Sequence, residues 1–343
     1  MKPNDSPLPP LLRWTGPVLA AAYGLGVRVH RASSSPQPSP LATLCVGNLT
    51  AGGTGKTPAS AYFARGLAQR GRRPAVLMRG YKDQGRDEAA ELNAALADLN
   101  LPSAVIVNSD RLSGARAAHE KGCDTVVLDD GFQHWRLQRD LDLVLIDATD
   151  PFSGKRLLPY GKLREHPAGL SRAGVIVITR SDCISGQELQ NLKQELTGLA
   201  PSAVLATACH RPSGLRALGT CPAPATLSGT KVVAACGIGN PEAFRQTLIQ
   251  QGTALLDFAA FPDHHGYSQG DLDGVVTTAR SLGALGIVVT EKDAAKISAL
   301  KLPAELPVLA LAVKFEMTAG EAAVWNRIDE ALNAAAARLR LRT

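Results

Sequence analysis

The sequence has few aromatic residues, which account for 4% of its 343 residues, whereas hydrophobic residues account for 45%. Short runs of Ala, Val, Leu and Ile are typical of strands buried on both faces of a parallel sheet. Such runs recur along the chain as TLCV, AVLM, AVIV, TVVL, LVLI and VIVIT. They predict a parallel α/β sheet, and the charged fraction of 20% argues against a disordered chain or a polytopic membrane protein.

The sequence has no CxxC pair, and its six cysteines have no histidine near them at metal-ligand spacing. Scattered cysteines of this kind are typical of reduced thiols in a cytosolic protein. There is also no dense Lys/Arg block with interleaved aromatics, although the formal net charge is +6. The charge indicates an anionic partner such as a nucleotide, an acidic substrate or a membrane surface, and we expect no nucleic-acid partner.

The N-terminal segment lacks an apolar run long enough to cross a bilayer, because the run covers only residues 17–27 and about 20 residues are needed. Three basic residues follow it within 28–31, whereas a signal peptide carries its positive charge mainly ahead of the run. Trp14 and Tyr23 are typical of a helix that lies in a membrane interface. A helix packed on the protein's own core is the alternative, and the sequence leaves both open.

Residues 42–58, ATLCVGNLTAGGTGKTP, run from an apolar strand into a glycine-rich loop. Backbone N–H groups of such a loop cradle phosphates, while Lys56 can reach the β- and γ-phosphates and the hydroxyl of Thr57 can ligate Mg²⁺. Pro58 suits the first turn of the helix predicted to follow. Thr50 stands where the consensus has a glycine, so we expect a different turn there. The predicted nucleotide-binding residues are Thr50, Ala51, Gly52, Gly53, Thr54, Gly55, Lys56 and Thr57.

A second pattern is TVVLDDGFQHWRL, in which a strand ends at Asp129 and Asp130 and breaks at Gly131. Carboxylates at the end of a strand beside a P-loop hold Mg²⁺ or the water around it. Since side chains alternate across a strand, one Asp can face the metal and the other a second metal, the substrate or a structural partner. A solvated acidic turn is the alternative.

The order of the segments predicts two domains. From residue 43 to about 210, strands alternate with helical segments, which is typical of a doubly wound sheet. Residues 211–231 contain turn-forming residues without clear periodicity, and a second α/β pattern follows them. The predicted division is an N-terminal helix and linker over 1–40, a P-loop domain over 41–215 and a smaller α/β domain over 216–343 that closes the active-site cleft.

Six segments of the chain resemble sequence motifs of one known protein family. They are VGNLTAGGTGKTP (46–58), MRGY (78–81), DDGFQH (129–134), LPYGKLRE (158–165), FPDHH (261–265) and TEKDAAK (290–296). Together they resemble the tetraacyldisaccharide 4′-kinase family, the lipid A 4′-kinases of Gram-negative bacteria. The resemblance implies a P-loop kinase that uses ATP and Mg²⁺ to phosphorylate the 4′-hydroxyl of tetraacyldisaccharide 1-phosphate, giving lipid IVA. It also implies peripheral or monotopic docking of the N-terminal helix on the cytoplasmic face of the inner membrane.

The resemblance implies a catalytic pair in addition to Lys56. The family's catalytic carboxylate lies in a Gly-Asp-Glu-Pro motif, which GRDEAAEL matches at Asp87 and Glu88 but without the glycine and the proline. The partner histidine falls on His264 rather than on His265. A carboxylate hydrogen-bonded to an imidazole can orient an attacking hydroxyl and take its proton. The pair predicts an active site between the two domains. Without the resemblance, the alternatives are a solvated loop acid for Asp87 and a loop histidine with a backbone partner for His264.

Further residues complete the predicted site by motif match. Guanidinium groups suit the 1-phosphate of the substrate or the phosphoryl group in transfer, although each arginine can equally be a surface salt-bridge partner. The predicted metal ligands are Thr57, Asp129 and Asp130, and the supporting residues are Glu88, Arg79, Arg111, Gln133, His134, Arg164 and Glu165. The TEKDAAK segment is predicted to be a capped strand-to-helix turn with a structural role.

An alternative function is a P-loop nucleotide switch or a metallochaperone-like GTPase that acts through a protein partner. TRSD at 179–182 follows a strand where a guanine-reading Asn/Thr-Lys-x-Asp motif would lie. Arginine in place of the lysine and the missing Cys/His clusters argue against this function. A preference for GTP would favour the switch, whereas a preference for ATP would favour the kinase.

Overall fold

The computed structural model describes residues 15–80, 84–224 and 226–341, and within 84–87 only the backbone. It forms two compact units, the first within Met1–Cys209 and Phe315–Thr343, the second within His210–Lys314. The second unit is therefore inserted into the first. This division differs from the predicted one because the C-terminal segment belongs to the same unit as the P-loop.

The helices and strands alternate along most of the chain. The helices are α1 (Gly16–Ser33), α2 (Lys56–Gln69), α3 (Gln84–Leu96), α4 (Arg111–Glu120), α5 (Gly186–Leu199), α6 (Pro241–Gln250), α7 (Gln269–Ser281), α8 (Glu291–Ile297) and α9 (Glu321–Arg340). The strands are β1 (Ala42–Asn48), β2 (Pro74–Met78), β3 (Val105–Val107), β4 (Thr125–Asp129), β5 (Leu141–Asp147), β6 (Val175–Thr179), β7 (Val204–Ala217), β8 (Lys231–Cys236), β9 (Ala254–Ala260), β10 (Gly286–Thr290) and β11 (Val308–Ala319).

The first unit is a doubly wound parallel sheet. Its strands run in the order β3-β2-β4-β1-β5-β6-β7, and these neighbours pair in parallel. Side chains of α2, α3 and α9 pack on one face, and those of α4 and α5 pack on the other. Strands β1, β2, β4 and β6 are buried at every position, which explains why they are apolar runs without alternation. All six apolar segments predicted to be strands are confirmed.

The second unit is a smaller parallel sheet in the order β11-β10-β8-β9. Two apolar clusters pack around it, one of them involving α7 and the other α6. The predicted second α/β pattern is thus confirmed. Residues 211–217, predicted to lie in an irregular boundary segment, instead continue β7, where Leu215 and Ala217 pack against the core of this unit. The sequence did not indicate this part of the strand, because turn-forming residues interrupt its apolar pattern.

Helix α1 packs on the first unit along one side only. Ala20 is buried, and the hydroxyl of Tyr23 donates to the backbone oxygen of Arg164 at 3.1 Å. On the other side Val18 and Leu25 are 72% and 63% exposed. Among the described helices, none is both long and apolar enough to cross a bilayer. The helix therefore docks on its own unit and also leaves an apolar surface uncovered.

Candidate active site

The P-loop connects the end of β1 to the start of α2, where parallel α/β sheets place their ligand sites. Gly55 caps α2 with φ 82°, a left-handed conformation that favours glycine. The side-chain amide of Asn48 donates to the hydroxyl of Thr54 at 2.7 Å and braces the loop from within. Thr50 forms an antiparallel bridge with Leu163. This bridge joins the loop to the 158–165 segment, and the different turn expected at Thr50 stays a prediction.

Lys56 and Asp130 form the charged centre of the site. The Lys56 ammonium lies 3.6 Å from Oδ1 of Asp130 and 3.5 Å from the carbonyl oxygen of Gly52. Arg164 donates to the same Asp130 oxygen at 2.6 Å. Burial acts to raise the pKa of Asp130, but the two cations outweigh it and hold the pKa below its usual value. Asp130 is thus an ionised carboxylate between two positive groups.

Asp129 lies in a different environment from its neighbour. Its side chain is 4% exposed, and Oδ1 accepts a hydrogen bond from the hydroxyl of Ser60 in α2 at 2.6 Å. Burial raises the pKa of Asp129 to about 6, and the Asp130 carboxylate adds to this increase. The two carboxylates therefore have different partners, and Asp130 itself lies just beyond β4 with φ 52°. A solvated turn does not describe the buried Asp129.

Arg111 is buried at the start of α4, which rules out a surface salt bridge for this arginine. Its guanidinium donates to the backbone oxygens of Asp129 at 3.2 Å and of Asn108 at 3.1 Å. Burial lowers its pKa to about 10. Burial, together with the nearby arginines 111, 139, 136 and 79, also lowers the pKa of His134 to about 4, so that His134 is neutral at pH 7.

Glu165 and Gln133 form a buried polar group next to the P-loop. The Gln133 amide donates to Oε1 of Glu165 at 3.0 Å and to the backbone oxygen of Asn48 at 2.8 Å. Arg172 donates to both carboxylate oxygens of Glu165, each at 2.9 Å. The sequence indicated neither Arg172 nor Ser60 as part of the site. Both lie in segments whose patterns are those of ordinary helix and turn residues.

Arg180, the arginine of TRSD, holds the P-loop from the end of β6. Its guanidinium forms an ion pair with Asp147 and donates to the carbonyl oxygen of Gly53 at 2.9 Å. Arg180 has φ 53°, a conformation that is costly for a residue with a side chain and persists where contacts enforce it. The feature that pointed to a guanine-reading switch thus has a structural role at the phosphate loop.

The remaining predicted residues are placed as follows. The side chain of Asp87 lies outside the described residues, although its backbone is part of α3. Glu88 is close enough to Asp129 for its charge to raise the pKa of that carboxyl. In the second unit His264 lies in the loop after β9 with φ 61°. Arg79 is exposed at the end of β2, near Arg111 and His134.

Replacing Asp129 by Asn is expected to stabilise the protein at pH 7 in the absence of ligands. Because the folded pKa of about 6 lies above the ordinary 3.8, the folded state binds this proton more tightly, and the free energy of unfolding falls as pH rises through that window. One pKa unit corresponds to about 1.4 kcal/mol, so the free energy of unfolding falls by about 3 kcal/mol across that window. Urea unfolding of both proteins at pH 4 and pH 7 measures it. A difference that is the same at both pH values would contradict the buried-carboxylate assignment.

A family model and curated relatives point to the same protein family, and a solved structure shares the fold. The sequence model of the tetraacyldisaccharide-1-P 4′-kinase family, LpxK, matches residues 12–333. A tetraacyldisaccharide 4′-kinase of Anaeromyxobacter dehalogenans (strain 2CP-C) is 38% identical over 84% of this chain and 81% of its own length. One of Halothermothrix orenii is 37% identical over 74% of each chain. The crystal structure of LpxK from Aquifex aeolicus, described as an apo form in complex with ATP, shares the fold with a TM-score of 0.65 and 24% identity, covering 94% of this chain and 99% of that chain.

Proposed function

Because this chain belongs to the tetraacyldisaccharide 4′-kinase family, we propose that it transfers the γ-phosphate of ATP to the 4′-hydroxyl of a tetraacyldisaccharide 1-phosphate, giving lipid IVA. The observation that carries this proposal is the arrangement of Lys56, Asp130 and Arg164 at the phosphate loop. Two cations on one ionised carboxylate form a charged site that a polyphosphate can enter by exchange of partners. Phosphoryl transfer requires mainly such positioning and charge neutralisation.

The main residues of the site have proposed tasks. The loop N–H groups bind the ATP phosphates, and Lys56 moves from Asp130 to the β- and γ-phosphates. Arg164 and Arg111 supply positive charge near the transferred group. Asp87 accepts the proton of the attacking hydroxyl, and the imidazole of His264 orients that carboxylate. Gln133 and Glu165 keep the 158–165 segment in place beside the loop.

The residues present also fit Mg²⁺. Oxygen ligands are those that Mg²⁺ prefers, and Thr57 in the first turn of α2 and Asp129 at the carboxyl end of β4 offer a hydroxyl and a carboxylate. Asp129 is a buried carboxylate with a hydrogen bond from the neutral Ser60 hydroxyl, and a cation beside it would offset the burial that raises its pKa. When bound, Mg²⁺ neutralises charge on the β- and γ-phosphates.

Transfer of radiolabelled γ-phosphate to purified tetraacyldisaccharide 1-phosphate in detergent tests the proposal. We expect a labelled lipid with ATP and much less with GTP at equal concentration. Nucleotide hydrolysis without labelling of the lipid, or a preference for GTP, would contradict the kinase and favour a nucleotide switch.

We further propose that α1 binds the cytoplasmic face of the inner membrane. Its outer side combines the exposed Val18, Leu25 and Val29 with basic residues in the last turn, Arg31 among them. Apolar side chains of this kind enter the boundary between headgroups and acyl chains, while basic groups attract anionic lipids. Docking there would bring the protein to a lipid substrate.

Replacing Val18 and Leu25 together by Asp is expected to lower the vesicle-bound fraction at least about tenfold, because burial of one such side chain contributes about 1.5–3 kcal/mol. Sedimentation with anionic vesicles measures it. Leu285→Asp is the matched control, since Leu285 in the second unit is 64% exposed against 63% for Leu25. If the double variant still sediments with vesicles as the control does, α1 is not the membrane contact.

A further inference from the structure

The TEKDAAK segment holds a neighbouring loop through Asp293. This residue has no exposed surface, and its Oδ2 accepts hydrogen bonds from the N–H of Gly237 at 3.1 Å and from the hydroxyl of Thr290 at 2.6 Å. Gly237 directly follows β8, and Thr290 caps α8. Asp293 therefore connects the start of α8 to the residue that follows β8, through hydrogen bonds to one carboxylate oxygen.

Gly237 in turn holds the backbone of His264. Its carbonyl oxygen accepts the N–H of His264 at 3.1 Å. The contact is close, because a Cβ at Gly237 would lie 3.1 Å from the Cβ of His265 and 3.2 Å from the carbonyl oxygen of Pro262. The loop over 262–265 thus packs directly against the glycine that Asp293 fixes.

Lys296 holds the same loop on the other side of His264. Its ammonium donates to the carbonyl oxygen of His265 at 3.1 Å. Asp293 and Lys296 are three residues apart in α8 and therefore lie on one side of that helix. Between the two anchor points, His264 adopts φ 61°, a conformation that residues with side chains keep only where the surroundings impose it.

The two adjacent histidines differ in their surroundings. The ring of His265 lies 3.1 Å from a carboxylate oxygen of Asp271 and stacks on Phe261 with ring centroids 4.7 Å apart. The ring of His264 lies 3.9 Å from Asp263 and is 27% exposed. The side chain of His265, 25% exposed, is thus held by Asp271 and Phe261, whereas His264, 27% exposed, is held through its backbone N–H.

We propose that Lys296 and Asp293 are positioning residues that hold His264 in the geometry required for phosphoryl transfer. The proposal gives the TEKDAAK segment a functional task beyond capping a helix. It rests on the proposed function, in which the imidazole of His264 takes part in catalysis.

Lys296→Met tests the proposal in the full-length protein, because it removes the ammonium and keeps an apolar stem of similar length. We expect kcat to fall by about 10- to 100-fold, the usual effect of a small displacement of a catalytic group. The KM for ATP should stay the same, and Lys296→Arg should recover most of kcat. Lys231→Met, an exposed lysine at the start of β8, is the matched control and should retain full activity. Thermal unfolding of each variant establishes that it is folded.

The same substitution in a His264→Ala background separates the possible outcomes. A positioning residue acts only through the group that it positions, so Lys296→Met should lower kcat no further there. Multiplicative losses would show that Lys296 acts independently and would overturn the proposal. If Lys296→Met keeps full activity while His264→Ala is impaired, the positioning role of Lys296 is wrong but the proposed function stands. Full activity of His264→Ala would instead remove the histidine from the proposed mechanism, and the inference with it.

Discussion

Replacing Lys56 by Ala is expected to lower kcat for phosphoryl transfer by about 10²–10³-fold, the usual cost of removing one donor that stabilises transition-state charge. The structure gives the reason, since Lys56 is the cation of the loop and lies between Gly52 and Asp130. The fold should persist because Arg164 remains paired with Asp130. Steady-state kinetics with the lipid acceptor and thermal unfolding measure the two effects.

Lys121→Ala is the control for this variant. Lys121 is an exposed lysine at the end of α4, so its removal lowers the net charge by the same amount. We expect its activity to change less than about fivefold, which is the scale of an exposed ion pair. If Lys56→Ala loses no more activity than this control, the proposed phosphate contact is wrong.

Replacing Asp87 by Ala is expected to lower kcat by about 10²–10⁴-fold, the contribution of a positioned general base. Binding of ATP should remain nearly unchanged, because the nucleotide is held by the P-loop. Single-turnover kinetics and nucleotide titration measure the two quantities separately.

Glu88→Ala is the comparison that identifies the base, because Glu88 is the adjacent acid. Its charge raises the pKa of Asp129, where we place Mg²⁺. Its removal should therefore affect the binding of Mg²⁺ more than the activation of the attacking hydroxyl. A large loss of kcat for Glu88→Ala together with an active Asp87→Ala would transfer the role of base to Glu88.

The fold was predictable where strands are buried on both faces. The TVVLD run of β4 is buried at every position, and such a run has few alternatives to a central parallel strand. Strand β9 was not predicted, since its apolar residues are half-buried or exposed and do not alternate regularly with polar ones. The unit to which α9 belongs could not be predicted either. An amphipathic pattern indicates that a helix covers a core, not which core it covers.

The site was predictable where its residues are close in sequence. Lys56 and Thr57 follow the loop directly, and Asp129 and Asp130 come at the end of one strand. Their spacing in the sequence therefore predicts the phosphate and metal contacts. Partners that approach only after folding could not be found. Ser60 is 69 residues away from the carboxylate that it contacts, and nothing in a helical serine indicates such a partner.

The insertion of the second unit also determines the order in which the protein can be completed during synthesis. Helix α9 contributes Trp325 and Leu332 to the core that contains Phe63 and Leu67 of α2. The ribosome adds these residues only after it has made all of His210–Lys314. The nascent phosphate-binding unit therefore keeps part of its apolar surface uncovered while another unit is being synthesised. During that interval it is a candidate for chaperone binding, and truncation before Glu321 should expose the same surface permanently.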